Sequence, residues 1–291
     1  MKTLTLKEMI ERISSAIKEQ IVENTGLVLK EGVRYDASSD MFVFDFEKDG
    51  ETDIISLEKT GYRISAFNHC YYYAYKFADS VDSASRTSFI HSIKFPDGKI
   101  TEQDKKTFIV NAVNRLDTDI SLPSYKVIVY PESMSELNRQ MLGYLNRFAS
   151  PELISMEMVK SLPSKIQFGF NRFSVEILDA RLPNGRARYT AMQRQKVLSD
   201  IRKMMDEIHV MKYFSIARSV RKNKYRKFFR NYYSFKDEKD KAMFETIMNS
   251  NVLVIDDIVT TGTTIAHILD CLRSVNDTNN IVVFSLIGKN I

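Results

Sequence analysis

One stretch, Asn251 to Ile265, constrains the fold more than any other part of the chain. It reads NVLVIDDIVTTGTTI: an apolar run, two aspartates, two further apolar residues, and a glycine among four threonines. An apolar run of this kind is typical of a parallel strand that helices cover on both faces. Apolar residues at helical spacing follow from Ile265 to Leu272. The stretch therefore predicts a strand ending at Asp256 and Asp257, then a threonine turn, then a helix.

The threonine turn has the chemistry of a phosphate site. A helix N-terminus presents backbone N–H groups and a positive dipole end to an anion, and hydroxyl groups add donors. The physical interpretation is a phosphate cradle beside two carboxylates. Two other interpretations of the stretch are open. The strand could be the magnesium-binding strand of a P-loop ATPase, although GxxxxGK[ST] does not occur in the chain. The unit could also be purely structural, because Thr and Asp are ordinary capping residues.

The stretch from Val252 to Thr264 resembles, without a gap, the phosphoribosyl diphosphate (PRPP) motif of the type I phosphoribosyltransferases. In that family the acidic pair holds the 2′ and 3′ hydroxyls of the ribose, and the following loop holds its 5′-phosphate. The resemblance implies that Asp256 and Asp257 are catalytic residues that bind the ribose. The residues that would bind the phosphate are Thr260, Thr261, Gly262, Thr263 and Thr264. A threonine at position 260, where hypoxanthine and guanine salvage enzymes have an aspartate, argues against a 6-oxopurine acceptor.

A second strand, loop and helix begin at Tyr125. The apolar run KVIVY predicts a buried strand, and Ser133 with Glu136 has the spacing of a capping box before an amphipathic helix. In the resembled family the loop at the corresponding place holds the pyrophosphate. By position, that role falls to the loop from Pro131 to Ser135, with Pro131, Glu132, Ser133 and Met134 as its binding residues, and a plain capped helix start is the alternative.

Composition sets the broad class of the protein. The chain has 291 residues, of which 44% are hydrophobic and 27% charged, as in a soluble globular protein. No apolar run approaches the roughly 20 residues of a membrane span. The first twenty residues carry three glutamates rather than a signal peptide. We therefore expect a cytoplasmic protein without membrane association.

Cysteine and histidine spacing gives no sign of a metal site. The chain has two cysteines, Cys70 and Cys271, which we expect to be small core residues. The four histidines are scattered and have neither metal-ligand nor triad spacing. One of them, His267, is expected to be exposed on the helix after the threonine turn. No metal is therefore expected to be bound directly by side chains.

Positive charge is concentrated in residues 181–230. This segment holds fifteen Lys or Arg against three acidic residues, a net charge of +12, so the remaining chain has a net charge of −7. Aromatic residues lie between the basic ones, a pattern found in nucleic-acid-binding proteins. The same composition would suit a loop closing over PRPP, which carries about five negative charges near neutral pH. A solvated charged face is the third interpretation.

The resemblance implies an α/β fold in which helices flank a type I phosphoribosyltransferase-like parallel sheet. We expect this domain at 121–291, with a basic insertion or hood at about 165–235, and an α+β extension or cap at 1–120. Within the extension the sequence predicts a helix at 6–22, a hairpin joining 41–46 to 53–57, and a strand at 90–95. An aromatic run at 68–78 is expected to pack against the main domain. A strand is also predicted at 165–170.

The implied activity is that of a pentosyl glycosyltransferase of nucleotide metabolism. Such an enzyme moves ribose 5-phosphate from PRPP to a nitrogenous acceptor and releases pyrophosphate, with Mg²⁺ held through pyrophosphate and ribose oxygens. The acceptor is not identified by the sequence. The competing hypothesis is a non-catalytic protein of the same fold that binds nucleic acid or a protein partner through residues 181–230. A third hypothesis is an assembly or structural protein that borrowed the fold, with the extension buried in an interface of a homo-oligomer.

Overall fold

A computed structural model describes residues 31–45, 55–59, 62–64, 70–77, 81–133, 135–148, 152–220, 223–259 and 261–288. The helix predicted at 6–22 lies outside these residues, as do two predicted site residues, Met134 and Thr260. In the part of the chain so described, no helix is long and apolar enough to cross a membrane.

The described residues form twelve strands and nine α-helices. The strands are β1 (Glu31–Asp36), β2 (Met41–Asp45), β3 (Ile55–Lys59), β4 (Tyr62–Ile64), β5 (Cys70–Phe77), β6 (Tyr125–Pro131), β7 (Ile154–Lys160), β8 (Gln167–Phe168), β9 (Phe229–Arg230), β10 (Tyr233–Phe235), β11 (Asn251–Ile258) and β12 (Asn280–Gly288). The helices are α1 (Ser83–Lys94), α2 (Glu102–Asp119), α3 (Leu137–Leu145), α4 (Phe170–Phe173), α5 (Ala191–His209), α6 (Ile216–Ser219), α7 (Asn223–Arg226), α8 (Glu238–Thr246) and α9 (Thr263–Val275).

Ten of these strands build one mixed sheet. Its order is β10-β7-β6-β11-β12-β5-β3-β1-β2, and β4 pairs with β5 at the side of this path. The five strands from β7 to β5 run parallel, while β10 at one end and β3, β1 and β2 at the other pair antiparallel. The predicted α/β sheet flanked by helices is confirmed, and antiparallel strands extend it at both ends.

The sheet is the middle layer of three. One face packs against α1, α2 and α3 through a core that includes Leu253 and Ile255 of β11. The other face packs against α5, α8 and α9 through a core that includes Val252 and Val254. Because successive strand residues point to opposite faces, a strand covered on both sides must be apolar throughout. That requirement explains the unbroken apolar run of β11.

The segments on either side of residue 120 share this sheet. Strand β5 pairs in parallel with β12 over Val282 to Gly288. The described part of the aromatic run at 68–78 is β5, and its tyrosines alternate between the two cores: Tyr71 and Tyr73 lie in one and Tyr75 in the other. The prediction that this run packs against the main domain is confirmed.

Three local predictions were wrong. The strand predicted at 90–95 is the end of α1, whose start is capped by Asp82 accepting hydrogen bonds from Ala84 and Ser85. The hairpin predicted between 41–46 and 53–57 does not form, because β1 lies between β2 and β3 and pairs with both. The strand predicted at 165–170 is limited to β8. Short apolar runs suit either a strand or a buried helix face, so tertiary packing decided each case.

Candidate functional site

The two loops predicted to bind phosphate groups follow the neighbouring strands β6 and β11, at the point where the chain connections leave toward opposite faces of the sheet. From β6 the chain passes through α3 to β7 on one side, and from β11 it passes through α9 to the neighbouring β12 on the other. Helices α3 and α9 accordingly lie on opposite faces of the sheet. In open α/β sheets such a divergence of neighbouring parallel strands opens a crevice at their carboxyl ends, where ligands bind. The loops after β6 and β11 border this crevice.

Both helices that begin at the crevice lack a side-chain cap. Glu136 precedes α3 and Gly262 precedes α9, and neither caps its helix with a side-chain hydrogen bond. Side chains do cap α1, α2 and α5, while α8, also uncapped, follows the antiparallel β10 and begins at the opposite edge. The backbone N–H groups of the first turns of α3 and α9 are therefore left for other acceptors.

The turn before α9 has the backbone conformation that the sequence pattern requires. Gly262 has φ of 66°, in the left-handed region that favours glycine. The hydroxyl groups of Thr261 and Thr263 lie 3.0 Å apart, with Thr261 exposed and Gly262 buried. The predicted phosphate residues 261–264 thus form the turn and first helical residues at the crevice.

The loop after β6 differs from its prediction in one respect. The Ser133 and Glu136 capping box is not formed, because α3 begins only at Leu137 and Ser133 instead accepts a hydrogen bond from the backbone N–H of Ser135. Pro131 is the last residue of β6, and its carbonyl accepts a hydrogen bond from buried Asn138 in α3. Glu132 and Ser133 are exposed. The loop therefore leaves the uncapped end of α3 open.

Asp257 lies on the α1–α3 face of the sheet and is enclosed by hydrogen-bond donors. The Nζ atom of Lys94 lies 2.9 Å from Oδ1 and 2.8 Å from Oδ2. The hydroxyl of Ser135 donates to Oδ2 at 2.9 Å, and the backbone N–H of Ile258 donates to Oδ1 at 2.6 Å. A carboxylate has about four acceptor sites, so these contacts occupy all of them. The side chain is 4% exposed, against 23% for Lys94.

Asp256 points to the opposite face, toward α9. Its Oδ1 atom accepts a hydrogen bond from the backbone N–H of Asp257. Burial and, secondly, the negative charge of Asp257 raise the pKa of Asp256 well above that of an ordinary aspartate, while Lys94 opposes the rise. Burial also raises the pKa of Tyr233, and the charge of Asp256 adds to this effect. The two aspartates therefore differ: one is ion-paired, and the other favours its protonated form.

Two residues of the site were not identified from sequence. They are Lys94 at the end of α1 and Tyr233 in β10. Lys94 and Asp257 are separated by 163 positions in the chain, and local spacing carries no information about such a pair. Ser135 lies inside the loop that was predicted by position, although its contact with Asp257 was not foreseen.

The side chains at the crevice suit a magnesium ion that is coordinated mainly by a bound ligand better than one that is coordinated by protein side chains alone. Mg²⁺ prefers oxygen ligands and in phosphate-binding sites is held by one or two carboxylates together with phosphate oxygens. Asp257 is already paired with Lys94, and the described residues contain no cluster of three or more His, Cys, Asp or Glu that could hold a metal. The residues present therefore fit an ion that arrives bound to a polyphosphate.

Aromatic residues of the basic segment are mostly part of the core. Six aromatic residues between positions 214 and 233 pack in or against the core beneath α9, and all but Tyr225 are fully buried: Phe214, Tyr225, Phe228, Phe229, Tyr232 and Tyr233. Tyr213, by contrast, is 80% exposed. Packing thus accounts for most of the aromatic pattern, and the five buried rings are not available to stack on bases. The cation that contacts the acidic pair, Lys94, comes from outside this segment.

The prediction that His267 is exposed was wrong. The side chain is 3% exposed and its ring lies 5.3 Å from that of Tyr232. The segment that leads to β10 covers this face of α9, which a helix considered alone would leave in solvent. Burial lowers the pKa of His267 to about 4, and in the part of the chain that the structure describes its Nε2 atom has no hydrogen-bond partner.

Acid should therefore destabilise the fold through His267. The unfolded chain takes up a proton near the ordinary pKa of 6.5, whereas the folded chain does so only near 4, so this contribution to stability is complete above pH 6.5 and declines as pH falls toward 4. Between neutral pH and about pH 5 we expect the wild type to lose about 2 kcal/mol more than His267→Gln. Urea unfolding at several pH values measures this, with exposed His91→Gln as the control. Equal pH profiles for wild type and His267→Gln would contradict it.

Comparison with known proteins adds no assignment to this geometry: no protein-family model matches the chain, and no curated protein shows a significant match to it.

Proposed function

We propose that this chain is a Mg²⁺-dependent phosphoribosyltransferase that moves ribose 5-phosphate from PRPP to a nitrogenous acceptor. One observation carries the proposal: two uncapped helix N-termini flank an acidic pair at the point where neighbouring parallel strands diverge. PRPP has a matching arrangement of groups, because a ribose diol lies between a 5′-phosphate and a pyrophosphate. The motif resemblance of β11 and its turn supports the same assignment.

Each group of PRPP has a counterpart in the crevice. The 5′-phosphate would take the backbone N–H groups and hydroxyls at residues 261–264, together with Thr260. The pyrophosphate would take the loop from Pro131 to Ser135 and the start of α3. The ribose hydroxyls would donate to Asp256 and Asp257. These contacts orient the anomeric carbon, and positioning with preorganised charge accounts for most of the catalysis that such a transfer requires.

Ribose binding requires a rearrangement at Asp257. Its four acceptor sites are taken by Lys94, Ser135 and Ile258, so a ribose hydroxyl must replace at least one of these donors. Lys94 is the partner with an exposed fraction and a flexible stem, and we assign the exchange to it. Once released, its ammonium group stays beside the loop proposed for pyrophosphate. There it would stabilise the charge that develops on the leaving group.

Magnesium, when bound with the substrate, would share the negative charge of the pyrophosphate. The protein contributes the acidic pair, which orients ribose hydroxyls, and the two helix ends, which hold phosphates without side-chain charge. The basic segment and β10 after it are proposed to limit access from the α9 side, since their core residues cover that face and Tyr233 lies within electrostatic range of Asp256.

Calorimetry with three ligands tests the assignment of groups. PRPP, ribose 5-phosphate and pyrophosphate are each titrated with Mg²⁺ into the wild type and into Gly262→Ala. Because a side chain in the left-handed region costs about 1–2 kcal/mol, the turn of the free variant should relax out of that conformation and would have to restore it to hold the 5′-phosphate. The variant should therefore bind PRPP and ribose 5-phosphate about tenfold more weakly and pyrophosphate unchanged. Gly143→Ala is the matched control, since an added Cβ there meets nothing within 4 Å. No binding of PRPP by wild type, or equal affinities in Gly262→Ala, would exclude the proposal.

A non-catalytic binding protein is the second candidate, and the saturated hydrogen bonding of Asp257 favours it. Such a protein would bind PRPP or ribose 5-phosphate without releasing pyrophosphate in the presence of any nucleobase or amine acceptor. If residues 181–230 bind nucleic acid, the affinity should fall steeply with salt. It should also disappear when Arg221, Lys222, Lys224 and Arg226 are neutralised.

A further inference from the structure

A second polar cavity lies between the first turns of α2 and the middle of α3, apart from the proposed PRPP contacts. Its volume is about 240 Å³. The residues that line it are Glu102, Gln103, Lys105, Lys106, Ile109, Gln140 and Tyr144. Drug-sized ligands occupy roughly 300–1,000 Å³, so this space suits a smaller molecule.

Lys105 is the residue that makes this cavity unusual. Its side chain is only 7% exposed, and in the described part of the chain its ammonium group has no ion pair or hydrogen bond. The only other charged side chains buried to this degree among the described residues are Asp256 and Asp257. The buried part of Lys105 is its stem, because its ammonium nitrogen is not one of the fully enclosed, unpaired atoms of the described residues and so faces the open space of the cavity. The missing partner of Lys105 is therefore expected to be an anion.

Gln140 provides a second unsatisfied group in the same cavity. Its Oε1 atom is buried and has no hydrogen-bond partner among the described residues. An orphaned acceptor of this kind costs about 1–3 kcal/mol unless a donor reaches it. The cavity thus has an unpaired cation from one helix and an unpaired acceptor from the next. A ligand that satisfies both must combine an anionic group with a hydrogen-bond donor.

The remaining lining is consistent with such a ligand. Lys106 adds a second positive charge and Glu102 one negative charge, so the lining is net positive. Ile109 and Tyr144 supply apolar surface, and the guanidinium of Arg147 lies 4.8 Å from the Tyr144 ring. The start of α2 adds a positive dipole end, although Thr101 already caps it.

We propose that this cavity binds a small polar metabolite carrying one carboxylate or phosphate next to a hydroxyl or amino group. Lys105 pairs with the anionic group, and Gln140 accepts a hydrogen bond from the neighbouring donor. The apolar wall of Ile109 and Tyr144 covers the carbon skeleton.

Two probes distinguish the anionic groups: glycerol 3-phosphate carries a phosphate with hydroxyl donors, and malate carries carboxylates with one hydroxyl donor. Calorimetry on the full chain should show binding of one of them. Lys105→Met should weaken it by at least about tenfold, since a charge-assisted hydrogen bond contributes roughly 1.5–3 kcal/mol. Lys105→Arg, which keeps the charge, should retain most of the affinity, and Gln140→Met should lose several-fold.

The same set of variants also shows whether each protein is folded and whether the probe binds in this cavity. Lys105→Met removes an unpaired charge and keeps a buried stem of similar size, so its unfolding temperature should be close to or above that of wild type. Lys126→Met, at an exposed position of β6, is the matched control and should bind the probe as wild type does. Failure of both probes to bind, or binding that Lys105→Met leaves unchanged, overturns the proposal. The second result would place the probe elsewhere, for example at the helix start after Gly262.

Discussion

Replacing Asp256 and Asp257 together by asparagine is expected to weaken binding of PRPP with Mg²⁺ by at least about a hundredfold. Ribose hydroxyls that donate to Asp256 would favour its ionised form, so in the bound state the substitutions replace two carboxylates by neutral amides of the same shape. Hydrogen bonds to charged groups contribute roughly 1.5–3 kcal/mol each. Pyrophosphate alone should bind the double variant nearly as well as it binds wild type, because its proposed contacts lie in the loop after β6 and in α3. Calorimetry with both ligands measures the two effects.

The control for this pair is Asp277→Asn, a change at an exposed aspartate after α9. It should bind PRPP with wild-type affinity. Thermal unfolding of each variant shows whether the fold persists, since Asp256 and Asp257 are both buried. Equal PRPP affinity in wild type and in a folded Asp256→Asn/Asp257→Asn variant would remove the acidic pair from the proposed ribose site.

Loss of Lys94 is expected to have the largest effect on stability at this site. In Lys94→Met, Asp257 remains 4% exposed and loses its cation. Breaking a buried ion pair by removing one partner costs about 3–5 kcal/mol, and the partial exposure of Lys94 reduces the expected loss to about 2–3 kcal/mol. Lys94→Met/Asp257→Asn should recover most of it. Denaturant unfolding of the four proteins in this cycle gives the coupling free energy between the two residues.

Lys99→Met supplies a matched comparison, because Lys99 pairs with Asp40 at 2.8 Å on the surface. An exposed pair contributes about 0–1 kcal/mol, so this variant should unfold almost as wild type does. Binding gives an independent readout. If Lys94 moves to the pyrophosphate as proposed, Lys94→Met should reduce the affinity for PRPP more than that for ribose 5-phosphate. A coupling free energy near zero would show that the contact is incidental.

Sequence patterns were most informative at residues 251–275, where the proposed function and the fold depend on the same contiguous strand, turn and helix. The apolar run of β11, its two terminal aspartates and the turn before α9 are contiguous, and each part has a local physical cause. Burial on both faces demands apolar residues, and a left-handed N-cap position favours Gly262. The strand, turn and helix at 251–275 were therefore predictable to within a few residues.

Patterns were least informative for short apolar segments and for side-chain exposure. The end of α1 was predicted to be a strand, and His267 was predicted to be exposed. In both cases the deciding contact comes from a distant part of the chain. Helix α1 packs through Phe89 and Ile93 into a core shared with β11, and the ring of Tyr232 covers His267. A single helix or strand carries no record of what will cover it.

The sequence by itself determined the chemistry of one edge of the sheet: two carboxylates at the end of a buried strand, followed by a glycine and threonines at a helix start. Only the tertiary structure decided how those groups are partnered. It brought Lys94 to Asp257 across 163 positions and placed Ser135 against the same carboxylate. It also left Lys105 unpaired in a separate cavity. The physical reason is that ion pairing and desolvation depend on distances between segments far apart in the chain, which spacing along the sequence does not encode.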